Sequence, residues 1–444
     1  MRKLGFQLGL IVFGIALVTA QPLPRRPWLG ARLSADPQGG ITLNQVVGGT
    51  AKAAGLQAQD VLLQINGKTL QDLSEVAPTI AQYTEKQAVT FTIRRAGSQQ
   101  EIKTTWVGRD RESVAKGTVT YDRVPFKGGQ LSVIINKPEG TGKLPAVLFI
   151  PGYTCSSVDG LTPDHPYGRV VQAFHNAGFV VVRVEKSGLG DSQNTPDCST
   201  TTLYDEVESF KAGFQKMKSL PFVDTEKLFI FGHSMGGIIA PAISAGEKVR
   251  GVMVYGTTAK SWFEYQLEMN RLQLKLAKLP PMEYESKCRI QADIAFDYFI
   301  RKKSLESIAA DPEKKAVLET DWQYDGKDRI FDRNQEYWRQ IQDYPLLDNW
   351  KNTTGKVLVL YGESDFQAFS LPDHEQIVQT VNHYHPGNAA LLSFPLTDHY
   401  FARSGTMQQA YDTFSQGKIQ ELFQAFNPDV TQKAVAWALA LVQS

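Results

Sequence analysis

The sequence predicts two units: a small, mainly β domain, then a larger α/β domain on a mostly parallel sheet with a helical insertion. Three patterns carry this reading. From about residue 118 onward, apolar strand-like runs alternate with amphipathic helical runs, the rhythm of a parallel sheet covered on both faces. Between "GVMVYG" (251–256) and "KVLVLYG" (356–362) that rhythm stops, and only helical runs follow one another. Residues 28–106 instead hold short alternating strands and tight turns. With 444 residues the chain has room for more than one domain.

The first residues, "MRKLGFQLGLIVFGIALVTAQP", begin with Arg2 and Lys3, continue as an apolar run from Leu4 to Val18, and end in small residues. This pattern predicts a signal peptide over 1–20, cleaved after Ala20. The run is shorter than the ~20 residues a membrane span needs, and no later segment is apolar enough to span. The mature chain is therefore expected to be periplasmic or secreted, without an integral membrane anchor. The chain has 47 basic and 46 acidic residues, net +1; losing Arg2 and Lys3 leaves 45 against 46, net −1. Such a balance gives no case for a nucleic-acid partner or an anionic membrane surface.

In the first domain, placed at 21–110, "GGTAKAAGLQAQDVLLQINGKTL" reads as a small-residue turn, a one-turn helix ended by Gly55, the strand "VLLQI" and a tight turn at Asn66-Gly67. Leu73, Val76, Ala77 and Ile80 form a helical stripe, and "AVTFTIRR" and "QEIKTTW" alternate as strands. The pattern "AxxAGLxxxDVLLxING" resembles a bacterial-type PDZ domain over about 80 residues. The resemblance implies that "WLGA" is a carboxylate-binding loop, with Leu29, Gly30 and Ala31 presenting backbone N–H groups. A peptide C-terminus would then add as a strand between the strand from Ala31 and the helix from Leu73. The plainer alternative is a packing or dimerisation module.

After the polar linker "VGRDRESVAKG" the second domain, 111–444, runs through "TVTYDRVPF", "GQLSVIINKP", "PAVLFIPG", "AGFVVVRVE" and "KLFIFG" as strands, with helical segments between the later ones. At the end of "KLFIFG" stands Gly232-His233-Ser234-Met235-Gly236, a G-x-S-x-G between an apolar strand and a small-residue helix. Flanking glycines let the backbone bend tightly enough to lift the serine out of the turn. Residues from about 118 to 444 resemble the α/β-hydrolase superfamily of esterases, lipases and serine peptidases. The loop "EKSGLGDS" (185–192) is similar to that family's "RGxGxS" loop, with Lys186-Ser187 departing from it. In the family's order an acid and then a histidine follow the serine, each just past a late strand. The resemblance therefore implies Ser234 as nucleophile, Asp365 as orienting acid and His399 as general base and acid. Met235 and Tyr153 would supply the oxyanion-hole N–H groups, with Thr154 as second choice for the latter. Glu363, Asp373 and Asp398 are weaker acid candidates, and His233 should turn its ring away from the hydroxyl. His383 and His385 read as strand or turn residues without a third metal ligand. No metal or organic cofactor is implied.

Loops after parallel strands leave the same sheet edge, so Cys155 and Cys198 are expected to form a disulfide, leaving Cys288 free. The insertion, about 258–350, reads as a helical cap. Its Trp262, Phe263, Tyr265, Phe296, Tyr298 and Phe299 either line a pocket or form the cap's own core. The leading functional reading is an exported serine hydrolase acting on a small-molecule ester or related acyl bond through an acyl-enzyme. The runner-up is a serine peptidase whose PDZ domain engages peptide C-termini. A third reading is a peptide-binding scaffold with a dormant hydrolase fold.

Overall fold

The computed structural model describes residues 22–443; the expected signal peptide, 1–20, lies outside them. The first sheet is antiparallel: β1 (Ala31–Ala35), β2 (Ile41–Val46), β3 (Val61–Ile65), β4 (Lys68–Thr69), β5 (Ala88–Arg95) and β6 (Ser98–Thr105) lie in the order β1-β2-β3-β5-β6, with β4 folded onto β3. Asn66 and Gly67 adopt φ of 49° and 79° in the β3–β4 turn, the conformation a two-residue hairpin needs. Ile41, Leu43, Leu62, Ile65 and Phe91 close the core beneath Trp106. The helical stripe forms as a 3₁₀ turn, Leu73–Glu75, that runs into a helix at Val76–Ile80. Asp72 and Glu75 cap its start reciprocally. Val76 and Ile80 are buried but Leu73 and Ala77 are exposed; the tighter 3₁₀ winding takes Leu73 off the buried face.

The second sheet contains β7 (Thr118–Phe126), β8 (Gly129–Lys137), β9 (Leu144–Ile150), β10 (Val180–Val184), β11 (Val223–His233) and β12 (Gly251–Tyr255). A short hairpin, β13 (Arg329–Ile330) and β14 (Arg333–Asn334), lies in the insertion, and β15 (Lys356–Gly362) and β16 (Ala389–Phe394) complete the main sheet. Its order is β16-β15-β12-β11-β9-β10-β8-β7, parallel except where β8 meets β7 and β10. The period of two along each strand divides the core into two layers. Ala146, Leu148 and Ile150 of β9 face Phe210 and Phe214 of helix Leu203–Ser219 and Ile239 of helix Gly236–Ser244. Val147 and Phe149 face Phe174 of helix Pro166–Asn176 and Val430 of helix Pro428–Gln443. The two helical layers are thus written into alternate residues of the same strands.

The insertion folds as the helices Trp262–Leu276, Pro281–Ala295, Leu305–Ala309, Pro312–Asp321, Gln335–Gln342 and Leu346–Lys351. Its expected aromatics divide: Tyr298 and Phe299 are buried in its core, while Phe296 is exposed.

The stretch expected to be a plain polar linker is tied down. Glu112 pairs through both oxygens with buried Arg183 (2.9 and 2.6 Å). Ahead of β1, Arg25 lies buried between Asp159 and Asp191, the latter at 2.8 Å, and donates to the carbonyls of Arg109 and Asp110. Arg26 donates to the Gly188 carbonyl at 2.6 Å. Charge pairing between distant segments, which has no periodic signature, fastens the N-terminal segment to the second domain.

Candidate active site

β11 delivers Ser234 into a sharp bend. Ser234 has φ of 54°, a conformation costly for a residue with a Cβ. Its N–H donates to the Tyr255 carbonyl of β12 at 2.9 Å. A Cβ at position 232 would fall 2.3 Å from the Gly236 oxygen, and one at 236 would fall 2.2 Å from the Ile150 oxygen. Only glycine fits on either side of the serine.

Asp365 follows β15 and is fully buried. Its Oδ1 accepts from the N–H groups of Gln367 (2.8 Å) and Ala368 (2.7 Å). Its Oδ2 lies 2.8 Å from His399 Nδ1. A carboxylate there holds the imidazole in the form with a proton on Nδ1 and leaves Nε2 for another partner. Ser234 and His399 line one cavity of about 460 Å³. Among the described residues no hydrogen bond yet closes Ser234 to His399; such contacts commonly tighten when substrate arrives.

The other histidines are used elsewhere. The Nε2 of His233 lies 2.9 Å from the His399 carbonyl, and its Nδ1 lies 2.8 Å from the Tyr167 hydroxyl. A carbonyl only accepts, so Nε2 carries the proton and Tyr167 donates to Nδ1. Burial, and then the neighbouring His399, hold the His233 pKa well below its ordinary value. Tyr167 in turn accepts from the Gly152 N–H at 3.2 Å. His383 lies in helix Leu371–Tyr384, not in a strand or turn as expected, because the helix continues past it; His385 caps that helix and does open a turn, its carbonyl accepting from the Asn388 N–H at 3.1 Å. Asp373, which the sequence also suggests as an N-cap, is not one: Ser370 caps that helix, and Asp373 accepts from Thr258 and pairs with Lys260. Asp398 spends Oδ1 on the N–H groups of Tyr400 and Ala402, and Glu363 is exposed.

The loop after β9 lies against the serine: a Cβ at Gly152 would stand 3.3 Å from Ser234 Cβ. The N–H groups of Tyr153 and Met235 have no acceptor among the described residues. Cys155 and Cys198 form a disulfide across this edge of the sheet, and Cys288 is free and buried. Sequence reading missed what holds the loop from behind. Lys186 donates to the Gly152 carbonyl at 2.5 Å, and Arg333 to the Tyr153 carbonyl at 2.7 Å. Lys186 showed only as a departure from a motif, and Arg333 gave no signal.

Trp262 and Tyr265 line the cavity with Trp338, Phe331, Phe366 and Tyr400; Phe263, Phe296, Tyr298 and Phe299 do not. Trp262 packs at a tilt against Tyr265 and stacks on Trp338, at centroid distances of 4.5 and 5.4 Å. Asp321 is the one carboxylate on the wall, and it is already engaged by Gln291 and Lys287.

In the first domain, the carbonyls of Trp28, Leu29 and Gly30 all turn one way. They accept from Thr50 (2.9 Å), Ala51 (2.8 Å), and Val47 and Gly48 (2.8 and 3.0 Å). In a planar trans peptide the next N–H points opposite to the carbonyl. The N–H groups of Leu29 and Gly30 accordingly find no acceptor among the described residues. They open beside β1, which has β2 on one side and a free edge on the other.

An antiparallel sheet with this loop, joined to an eight-stranded sheet carrying a serine elbow, defines the class: a PDZ domain followed by an α/β-hydrolase domain. The PDZ family matches residues 13–105, and the family described as serine aminopeptidase, S33, matches residues 162–375. Among curated proteins, an esterase of Thermotoga maritima is 24% identical over 250 residues, covering 52% of this chain and 56% of that protein. A probable periplasmic DegP-like serine endoprotease of Bartonella henselae is 27% identical over 113 residues, 21% of this chain and 22% of that protein. The chain therefore spans about half the length of the esterase it matches and about a fifth of the protease. Among solved structures, the esterase Est1E of Butyrivibrio proteoclasticus with ferulic acid aligns with a TM-score of 0.43 and 18% identity, over 67% of this chain and 98% of that one.

Proposed function

We propose that this protein is an exported serine hydrolase that cleaves carboxylic esters through an acyl-enzyme on Ser234. The observation that carries the reading is the shared cavity: Ser234 in its strained elbow faces the space that His399 also lines, with His399 fixed to Asp365 at 2.8 Å. Ser234 Oγ attacks the acyl carbon while His399 Nε2 takes its proton. The N–H groups of Met235 and Tyr153 meet the oxygen of the tetrahedral intermediate. His399 then passes the proton to the leaving alcohol, and water releases the acid by the same steps.

An ester is favoured over a peptide because the aromatic wall has no free ion to anchor a charged terminus: Asp321 is already paired. The esterase relative points the same way. A peptidase remains the second reading, favoured by the outward-turned N–H groups of Leu29 and Gly30, which suit a peptide carboxylate. Export is supported by the disulfide, which persists in oxidising compartments, and by periplasmic relatives of the first domain. Ser234→Ala should lower p-nitrophenyl ester turnover by about 10⁴-fold or more and abolish fluorophosphonate labelling. Faster turnover of aminoacyl-p-nitroanilides than of esters would move the assignment to peptidase. Labelling that survives the substitution would overturn it.

A further inference from the structure

Behind the loop after β9 sits a cluster that the reaction above does not use directly. Lys186, Glu206 and Arg333 have side chains 3%, 3% and 0% exposed. They come from three separate places: the loop after β10, helix Leu203–Ser219, and the hairpin of the insertion. Lys186 pairs with Glu206 at 2.6 Å, Arg333 lies 3.5 Å from the same carboxylate, and Tyr337 donates to it at 2.7 Å. Two buried cations thus share one anion. Lys186 and Arg333 also donate to two successive carbonyls, those of Gly152 and Tyr153, and Arg333 reaches Thr201 as well.

Burying two cations for one carboxylate is a poor way to gain stability, since apolar side chains of similar volume commonly do as well or better. It is an effective way to fix peptide planes. A donor on the Gly152 oxygen sets the plane of the Gly152–Tyr153 peptide, and the Tyr153 N–H on its far side must point opposite. A second donor on the Tyr153 oxygen fixes the following plane, so the residue is held at both ends. The disulfide at Cys155 then closes the loop two residues on. Burial draws the Lys186 pKa down to about 8, against the pull of Glu206, so its charge is largely kept at neutral pH.

We propose that Lys186, Glu206 and Arg333 are positioning residues for the oxyanion site, holding the Gly152 and Tyr153 carbonyls so that the Tyr153 N–H stays aimed at the oxygen of the tetrahedral intermediate. The proposal rests on the acyl-transfer reading. A group that acts only on the intermediate lowers kcat and leaves KM alone.

The test compares wild type, Lys186→Met, Lys186→Arg and Arg333→Met on a p-nitrophenyl ester, with inhibition by a trifluoromethyl ketone, which forms a tetrahedral adduct with the serine. Lys186→Met should lose about 10²-fold in kcat with KM within twofold of wild type. The inhibition constant for the ketone should rise by the same factor as kcat/KM falls. Arg333→Met should follow the same line with a smaller loss, and Lys186→Arg, which keeps a donor, should recover about tenfold over Lys186→Met. Unchanged kcat in Lys186→Met, or a loss of activity with no change in ketone affinity, overturns the proposal. If Lys186→Met does not fold, Lys186→Arg and Arg333→Met are read by the same ratio of ketone affinity to kcat/KM. A wild-type protein that neither turns over esters nor takes a fluorophosphonate defeats the parent reading instead, so the two failures are distinguishable.

Discussion

The loop 28–31 of the first domain and the loop 152–155 of the second solve one problem in two ways. Each turns its carbonyls toward the protein and leaves N–H groups without an acceptor among the described residues, which on the proposed reading would meet an incoming anion. In the first, the anchors are backbone N–H groups of the segment 47–51 and the Thr50 hydroxyl. In the second, they are buried side-chain cations, a tyrosine and a disulfide. A carboxylate that is already charged can be met by a loop that adapts as it binds. A charge that exists only in a transition state must find its donors already in place, because reorganisation then would add to the barrier. The heavier scaffolding stands where the proposed mechanism would place that second demand.

Three further experiments break or sharpen the contrast. Replacing both Cys155 and Cys198 by Ser opens a closed loop of 43 residues. In the chain-entropy model this costs about 4 kcal/mol; urea unfolding of the second domain should show most of it. The next effect is on pH. Glu185 accepts from Ser157, Val158 and Asp159 of the clamped loop, and burial raises its pKa from 4.5 to about 7. A folded-state value raised above the unfolded one stabilises the fold below pH 4.5 and loses that contribution as pH rises through 7. Wild type should therefore lose up to about 3 kcal/mol relative to Glu185→Gln between pH 4.5 and 8, seen as a fall of its Tm relative to that of the variant. A wild-type Tm that rises relative to the variant's over this range contradicts the assignment. The smallest effect is expected in the lighter loop. Gly30 has φ of 77°, and a Cβ there would lie 2.1 Å from the Gly48 oxygen. Gly30→Ala should destabilise the first domain by about 1–3 kcal/mol, with faster amide exchange across residues 41–51 and none added at residues 150–160.

What the sequence disclosed was local or periodic. The elbow around Ser234 was legible because glycines, an apolar strand and a small-residue helix adjoin it. Asp365 and His399 were legible as polar residues just past late strands, and the cysteine pair followed from strand direction. What it hid was side-chain traffic between distant segments. Arg333 meets Tyr153 across 180 positions, and no pattern along the chain marks such a pair. His383 was misread because the Pro-Gly that follows suggested a turn, whereas tertiary packing carried the helix of Val381 up to Tyr384 and the turn opens only at His385. The ties on the linker were hidden because Glu112 looks solvent-bound until Arg183 is in view, and the carbonyls of Arg109 and Asp110 until Arg25 is.

Arg25 also bears on how the protein can be dissected. A fragment starting at residue 111 would keep Asp159 and Asp191 but lose the guanidinium that pairs with both. Two sequestered negative charges would then have to be hydrated or protonated, at a cost commonly of 3–5 kcal/mol for a broken buried pair. The boundary that looks natural along the chain is therefore a poor place to cut, and the two modules are physically one inheritance.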